Sequence, residues 1–170
     1  MSNQFAEQVG IESWRRVWRD GFVPSFVDVL GKERAALGVQ LLHRALKGRD
    51  PAVRQGVTTF PGGSADLEGC SPEVYVAWVS TVSSSPKWSC QAGDAMFGAL
   101  CVSCDGRVGM ERACRFFMNW WDETPAHVAY PALAAECLAT LDFLATGAWG
   151  VAPAPVPAPL PASAPAVAPF

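Results

Sequence analysis

The sequence predicts an all-α fold: a compact single-domain helical bundle of roughly five to seven helices over residues 1–150, followed by a Pro/Ala-rich tail over 151–170. Three observations predict it. Apolar residues recur at intervals of three and four along most of the chain. There is neither an internal repeat nor an alternating strand–helix order. A chain of 170 residues that is 50% hydrophobic can also bury one sizeable core.

Phe5, Val9, Ile11, Trp14, Val17 and Trp18 lie at near-helical spacing, with Glu12, Arg15, Arg16 and Arg19 opposite, so residues 3–19 read as an amphipathic helix. Gly21 and Pro24 are expected to end it, and Ser25 to cap a second helix through Phe26, Val29, Leu30, Leu37, Leu41, Leu42 and Leu46. Gly31 is the expected break within that helix. From Gly48 to Pro72 the composition turns to Gly, Pro, Thr and Ser, which predicts a long loop. VYVAWV (74–79) is ambiguous: its β-branched residues favour a strand and its context a buried helix.

A helix is expected over Gly93–Val102, followed by a turn at DGR (105–107). Between Val108 and Asp122, Met110, Ala113, Cys114, Phe117 and Trp121 form one stripe and Arg112, Arg115, Asn119 and Asp122 another, the strongest helical signal in the chain. Glu123, Thr124 and Pro125 should stop it. The last helix is expected to start with Pro131 in its first turn and to end at Gly147. Seven of the twenty tail residues are proline, which predicts a disordered, extended polyproline-like appendage that excludes a spanning helix there.

The net charge of −3 is unevenly spread: residues 1–54 hold nine of the thirteen Lys and Arg, whereas 55–170 hold ten of the sixteen Asp and Glu. Arg15, Arg16 and Arg19 occupy one helical turn with nothing to extend them, so no nucleic-acid partner is expected. No run is apolar for the length a membrane span needs. The polar start MSNQFAEQVG predicts no secretory signal, a reducing compartment and a cytoplasmic location, with six cysteines acting mainly as small apolar side chains.

Cys101 and Cys104 have the CxxC spacing of half a zinc site, but no second CxxC or HxxxH accompanies them and no thioredoxin-like sheet surrounds them. Neither a metal nor a cofactor is expected. His43 and His127 sit in no motif with a nucleophile and an orienting carboxylate, and PGGS lacks the lysine of a phosphate loop. No catalytic constellation emerges, and the chain reads as a non-enzymatic protein–protein interaction module.

Asp105 to Phe117 reads DGRVGMERACRFF, which resembles the first homology motif of the Bcl-2 family of apoptosis regulators, approximately DGVNWGRIVAFF. With one residue inserted after the DG, Val108, Arg112, Phe116 and Phe117 fall on the family's valine, arginine and two following apolar positions. Gly109 replaces the asparagine and Glu111 the glycine. An apolar segment, AMFGALC, precedes the motif as in the family, and LATGAWG (144–150) is similar to the second homology motif with its GGW core. The pattern also looks like the family's diverged viral members, including the adenovirus early apoptosis inhibitors.

The resemblance spans roughly a quarter of the chain. It implies a surface groove that takes an amphipathic helix of a pro-apoptotic partner, with Arg112 pairing with an aspartate of that helix. On this basis Phe97, Leu100, Arg112, Ala113, Phe116 and Trp149 are the expected contacts, and mitochondrial residence would come through the partner. The residues leave a rival open: a helical accessory or assembly subunit, viral or microbial and unrelated to apoptosis, in which a homo-oligomer buries the tryptophans.

Overall fold

The computed structural model describes residues 13–63, 66–81 and 88–150. The expectations for residues 3–12 and for the tail lie outside the described residues. The fold is all-α, as the apolar periodicity predicts, with one two-stranded sheet among the described residues.

The first rod opens with α1 (Ser13–Arg16), passes into a π-helical segment (Val17–Phe22) and continues as α2 (Val23–Leu30). Gly21 and Pro24 therefore do not end the helix. In the π segment the Val23 N–H bonds five residues back to the Trp18 carbonyl, and this wider turn accommodates the ring of Pro24, which a regular α-turn would push against a carbonyl. Gly21 is in the helix for its lack of a side chain: a Cβ there would lie 2.4 Å from Cys104 Sγ. Ser25 is no cap either. Its buried hydroxyl donates back to the Gly21 carbonyl at 2.8 Å, satisfying the backbone that the π turn loosens.

Gly31, at φ +82°, makes the expected break before α3 (Lys32–Gly48). The region beyond it is only partly loop. β1 (Thr59–Pro61) and β2 (Leu67–Cys70) pair antiparallel with an irregularity between Phe60 and Pro61, and Val53 bridges to Cys70. Strands this short, rich in Gly and Pro, carry too little alternation to be read from sequence.

VYVAWV resolves as a helix, α4 (Pro72–Thr81), with Pro72 through Ala77 and Ser80 buried. A helix covered on all sides has no polar face, which is why its periodicity was uninformative. It packs against α3 closely enough that a Cβ on Gly38 would sit 2.5 Å from the Val76 carbonyl oxygen. Glu73 is buried with it. One carboxylate oxygen accepts from Ser71 Oγ at 2.6 Å and the other, Oε2, has no partner among the described residues; burial pushes the carboxyl up to about 7.

α5 (Cys90–Val108), α6 (Ala113–Glu123) and α7 (Ala126–Thr146) complete the bundle. Ser89 caps α5, its Oγ accepting from the Ala92 N–H. The last helix begins before the expected Pro131, which lies inside it on the exposed side, where the carbonyl left without a donor can meet water. α7 is long and apolar enough to cross a membrane by length and composition, with a mean hydropathy of 1.4, which the expectation of no such stretch missed. In this fold it packs along α3, with Ala129, Leu133, Cys137 and Leu144 buried.

An aromatic cluster forms the centre. Phe117 of α6 meets Trp18 at 5.5 Å and Phe22 edge-on at 5.2 Å, and Trp14 stacks on Trp120 at 3.8 Å. The buried Glu136 of α7 accepts from Arg19 and also pairs with Arg15, which ties the first rod to the last. The 49–58 segment is pinned to the α6–α7 junction by Trp121 Nε1 donating to the Arg54 carbonyl at 3.0 Å and Tyr130 donating to the Val53 carbonyl at 3.1 Å.

Candidate functional site: the α5–α6 corner

The segment that carries the family resemblance is not one helix. The expected DGR turn is helical, since Asp105, Gly106 and Arg107 form the last turn of α5, and the chain leaves the helix at Gly109 with φ +70°. A short turn follows, and Arg112 precedes α6 at φ 63°. The DG signal is overridden because Asp105 serves α6 from within α5. Its carboxylate accepts from the Arg112 N–H at 3.0 Å and the Cys114 N–H at 2.8 Å, capping two donors that the start of a helix leaves open.

The stripes predicted for this helix hold even though its start moves. Ala113, Phe117 and Trp121 are fully buried, while Arg115, Asn119 and Asp122 are exposed. Arg112 stands at the corner with its side chain 70% exposed, 4.0 Å from Glu111.

The six expected contact residues divide. Phe97 and Phe116 are half-buried on α5 and α6, and Arg112 is exposed between those helices. Leu100 and Ala113 are sunk into the core: position 100 falls on the narrow face of α5 that meets the first rod, and Ala113 opens the buried stripe of α6. Trp149 follows α7, stacked on Phe143 at 4.2 Å beneath the Arg19 guanidinium at 4.5 Å from the ring. Its ring closes the Arg19–Glu136 ion pair, a structural use that the GAWG pattern does not reveal.

Sequence reasoning missed Val102, which is 77% exposed on α5. Of the nineteen residues of α5, Gly93, Leu100 and Cys104 are buried, so most of its apolar side chains remain partly open. The signal was hidden because AMFGALCVSC is apolar on every side and marks no outward face.

The CxxC pair also separates. Cys104 is buried beside Gly21, and burial pushes its thiol up. Cys101 and Cys114 are half-buried on α5 and α6. All six cysteines are free thiols, and among the described residues no three His, Cys, Asp or Glu side chains gather as a metal site. His127 is exposed and His43 half-buried.

Comparison of the chain with protein-family models, curated proteins and solved structures finds no match.

Proposed function

We propose that this protein is a non-enzymatic interaction module that receives an amphipathic helix of a partner on the α5–α6 corner, in the manner implied by its resemblance to the Bcl-2 family. The observation that carries the reading is α5 itself. A nineteen-residue helix with three buried residues leaves Phe97, Cys101 and Val108 half-open and Val102 almost fully so. Covering apolar surface of this kind is favourable, and the apolar face of a partner helix supplies the cover.

Arg112 and Arg115 stand exposed beside that surface. An acidic residue of the incoming helix would pair with Arg112, and the pair gains strength as the partner excludes water. In this reading a pro-apoptotic helix is the ligand, and the partner determines any mitochondrial residence. The assembly-subunit alternative would draw on the tryptophans, of which Trp14, Trp18 and Trp121 are buried in this chain's own core and Trp78, Trp88, Trp120 and Trp149 are half-buried against it.

Calorimetric titration of the full chain with a panel of pro-apoptotic helix peptides tests the proposal, with Arg112→Ala and Val102→Asp as variants. Micromolar or tighter binding that each substitution weakens by about tenfold or more is expected. A folded protein that binds none of the peptides, or binds them equally well with both substitutions, rejects it.

A further inference from the structure

We propose that the outward face of α7, with the cationic end of α3 beside it, is a docking surface for an anionic phospholipid bilayer, on which α7 lies flat. By length and hydropathy α7 could cross a membrane, yet its inner side is committed to the fold, where Ala129, Leu133, Cys137, Thr140 and Leu144 are buried. The outer side is what remains. Val128, Pro131, Ala135 and Leu138 recur there at intervals of three and four, all exposed, with Val128 at 48% and Leu138 at 53%. The first carboxylate on that stripe is Asp142, one turn beyond Leu138.

Charge is the second observation. α3 packs along α7, and Arg49, which caps α3, covers the Tyr130 ring near the start of α7 at 4.1 Å, so the two helices run antiparallel. Residues 32–50 carry five exposed bases, Lys32, Arg34, Arg44, Lys47 and Arg49, against the carboxylates of Glu33 and Asp50. None of the five is in an ion pair among the described residues. Arg44, Lys47 and Arg49 gather at the end of α3 that lies beside the start of α7, next to the apolar stripe.

The two features belong to one ligand chemistry. Apolar side chains enter the boundary between headgroups and acyl chains, while Lys and Arg beside them reach the lipid phosphates and carboxylates. An aromatic ring under a guanidinium stands at each end of α7, Tyr130 beneath Arg49 and Trp149 beneath Arg19 at 4.5 Å, and such rings suit the headgroup layer. A second copy of the chain fits less well. Four outward side chains spread over about 15 Å of helix fall short of the 20 to 30 residues that each side of a stable interface typically supplies. The attraction reads surface charge and not the identity of an organelle, so it leaves the helix-binding reading at the α5–α6 corner as it stands.

The test is co-sedimentation of the native full chain with vesicles of phosphatidylcholine alone and of phosphatidylcholine with phosphatidylserine in a two-to-one ratio. Binding to the anionic vesicles that high salt weakens is expected, with little binding to the neutral ones. Arg44→Ala and Lys47→Ala should each lower the binding constant about fivefold, and Leu138→Glu about tenfold or more, with circular dichroism confirming that the variants fold. Equal binding to both vesicles, no binding to either, or binding that Leu138→Glu leaves intact would overturn the proposal. So would a dimer, seen by sedimentation equilibrium without lipid, that Leu138→Glu dissociates while the parent chain ignores vesicles, since the face would then belong to a second copy. No helix peptide enters this experiment, so its outcome is independent of the binding reading.

Discussion

Trp18 Nε1 donates to Thr140 Oγ1 at 2.9 Å, joining the π segment to α7 across 122 residues of chain. The same hydroxyl donates to the Glu136 carbonyl at 2.8 Å, so both of its roles are used in a site closed to water. Thr140→Val keeps the shape but orphans a buried indole N–H, and should cost about 1–3 kcal/mol in urea denaturation of the full chain. Thr140→Ser should recover much of that loss. Equal stability for the valine variant would show that the bond contributes little.

Gly38 marks a close approach of α3 to α4. A Cβ there meets the Val76 carbonyl oxygen at 2.5 Å, and backbone cannot swing aside as a long side chain can. Gly38→Ala should therefore destabilise the fold by about 1–3 kcal/mol, although alanine normally favours a helix over glycine. A neutral or stabilising result, measured by thermal unfolding, would mean that the two helices separate freely.

Glu73 makes stability depend on pH in an unusual direction. Its carboxyl is pushed by burial from 4.5 in the unfolded chain to about 7 when folded, so the native state binds its proton more tightly. Its contribution is fully present below about 4.5 and is lost as pH rises through 7, a change on the order of 3 kcal/mol. Glu73→Gln removes the titration and should be more stable than the parent at pH 8, with the advantage shrinking toward pH 5. Denaturation of both proteins across this range checks it, and a constant difference would contradict the assignment.

Arg112 offers a binding probe that spares the fold. Its side chain is exposed and its backbone N–H is held by Asp105 whatever the side chain. Arg112→Ala should leave the unfolding free energy measured in urea within about 0.5 kcal/mol of the parent. A larger loss would show that Arg112 supports the structure.

The helical class was legible because the bundle's amphipathic elements keep their period. Ala113, Phe117 and Trp121 face inward and Arg115, Asn119 and Asp122 outward, as the stripes predict. Boundaries failed where a local signal met a tertiary contact: Gly21 and Pro24 read as a stop, yet the π segment carries the chain through because Gly21 must sit against Cys104. DG read as a turn, yet Asp105 stays helical to cap α6.

Of the expected contact residues, Leu100 and Ala113 are buried in the core, since spacing gives the apolar face without saying which side another helix of the chain covers. Val102 escaped because an all-apolar segment marks no outward face.

The pairing of Arg112 with an acidic residue of an incoming helix is the central claim, and a double-mutant cycle tests it most directly. Binding energies are measured by calorimetry for the parent chain and Arg112→Ala, each against a pro-apoptotic helix peptide and against the same peptide with its aspartate replaced by alanine. A coupling energy of roughly 1.5 kcal/mol or more is predicted. A coupling of zero, or no binding by the folded parent chain, would contradict the account.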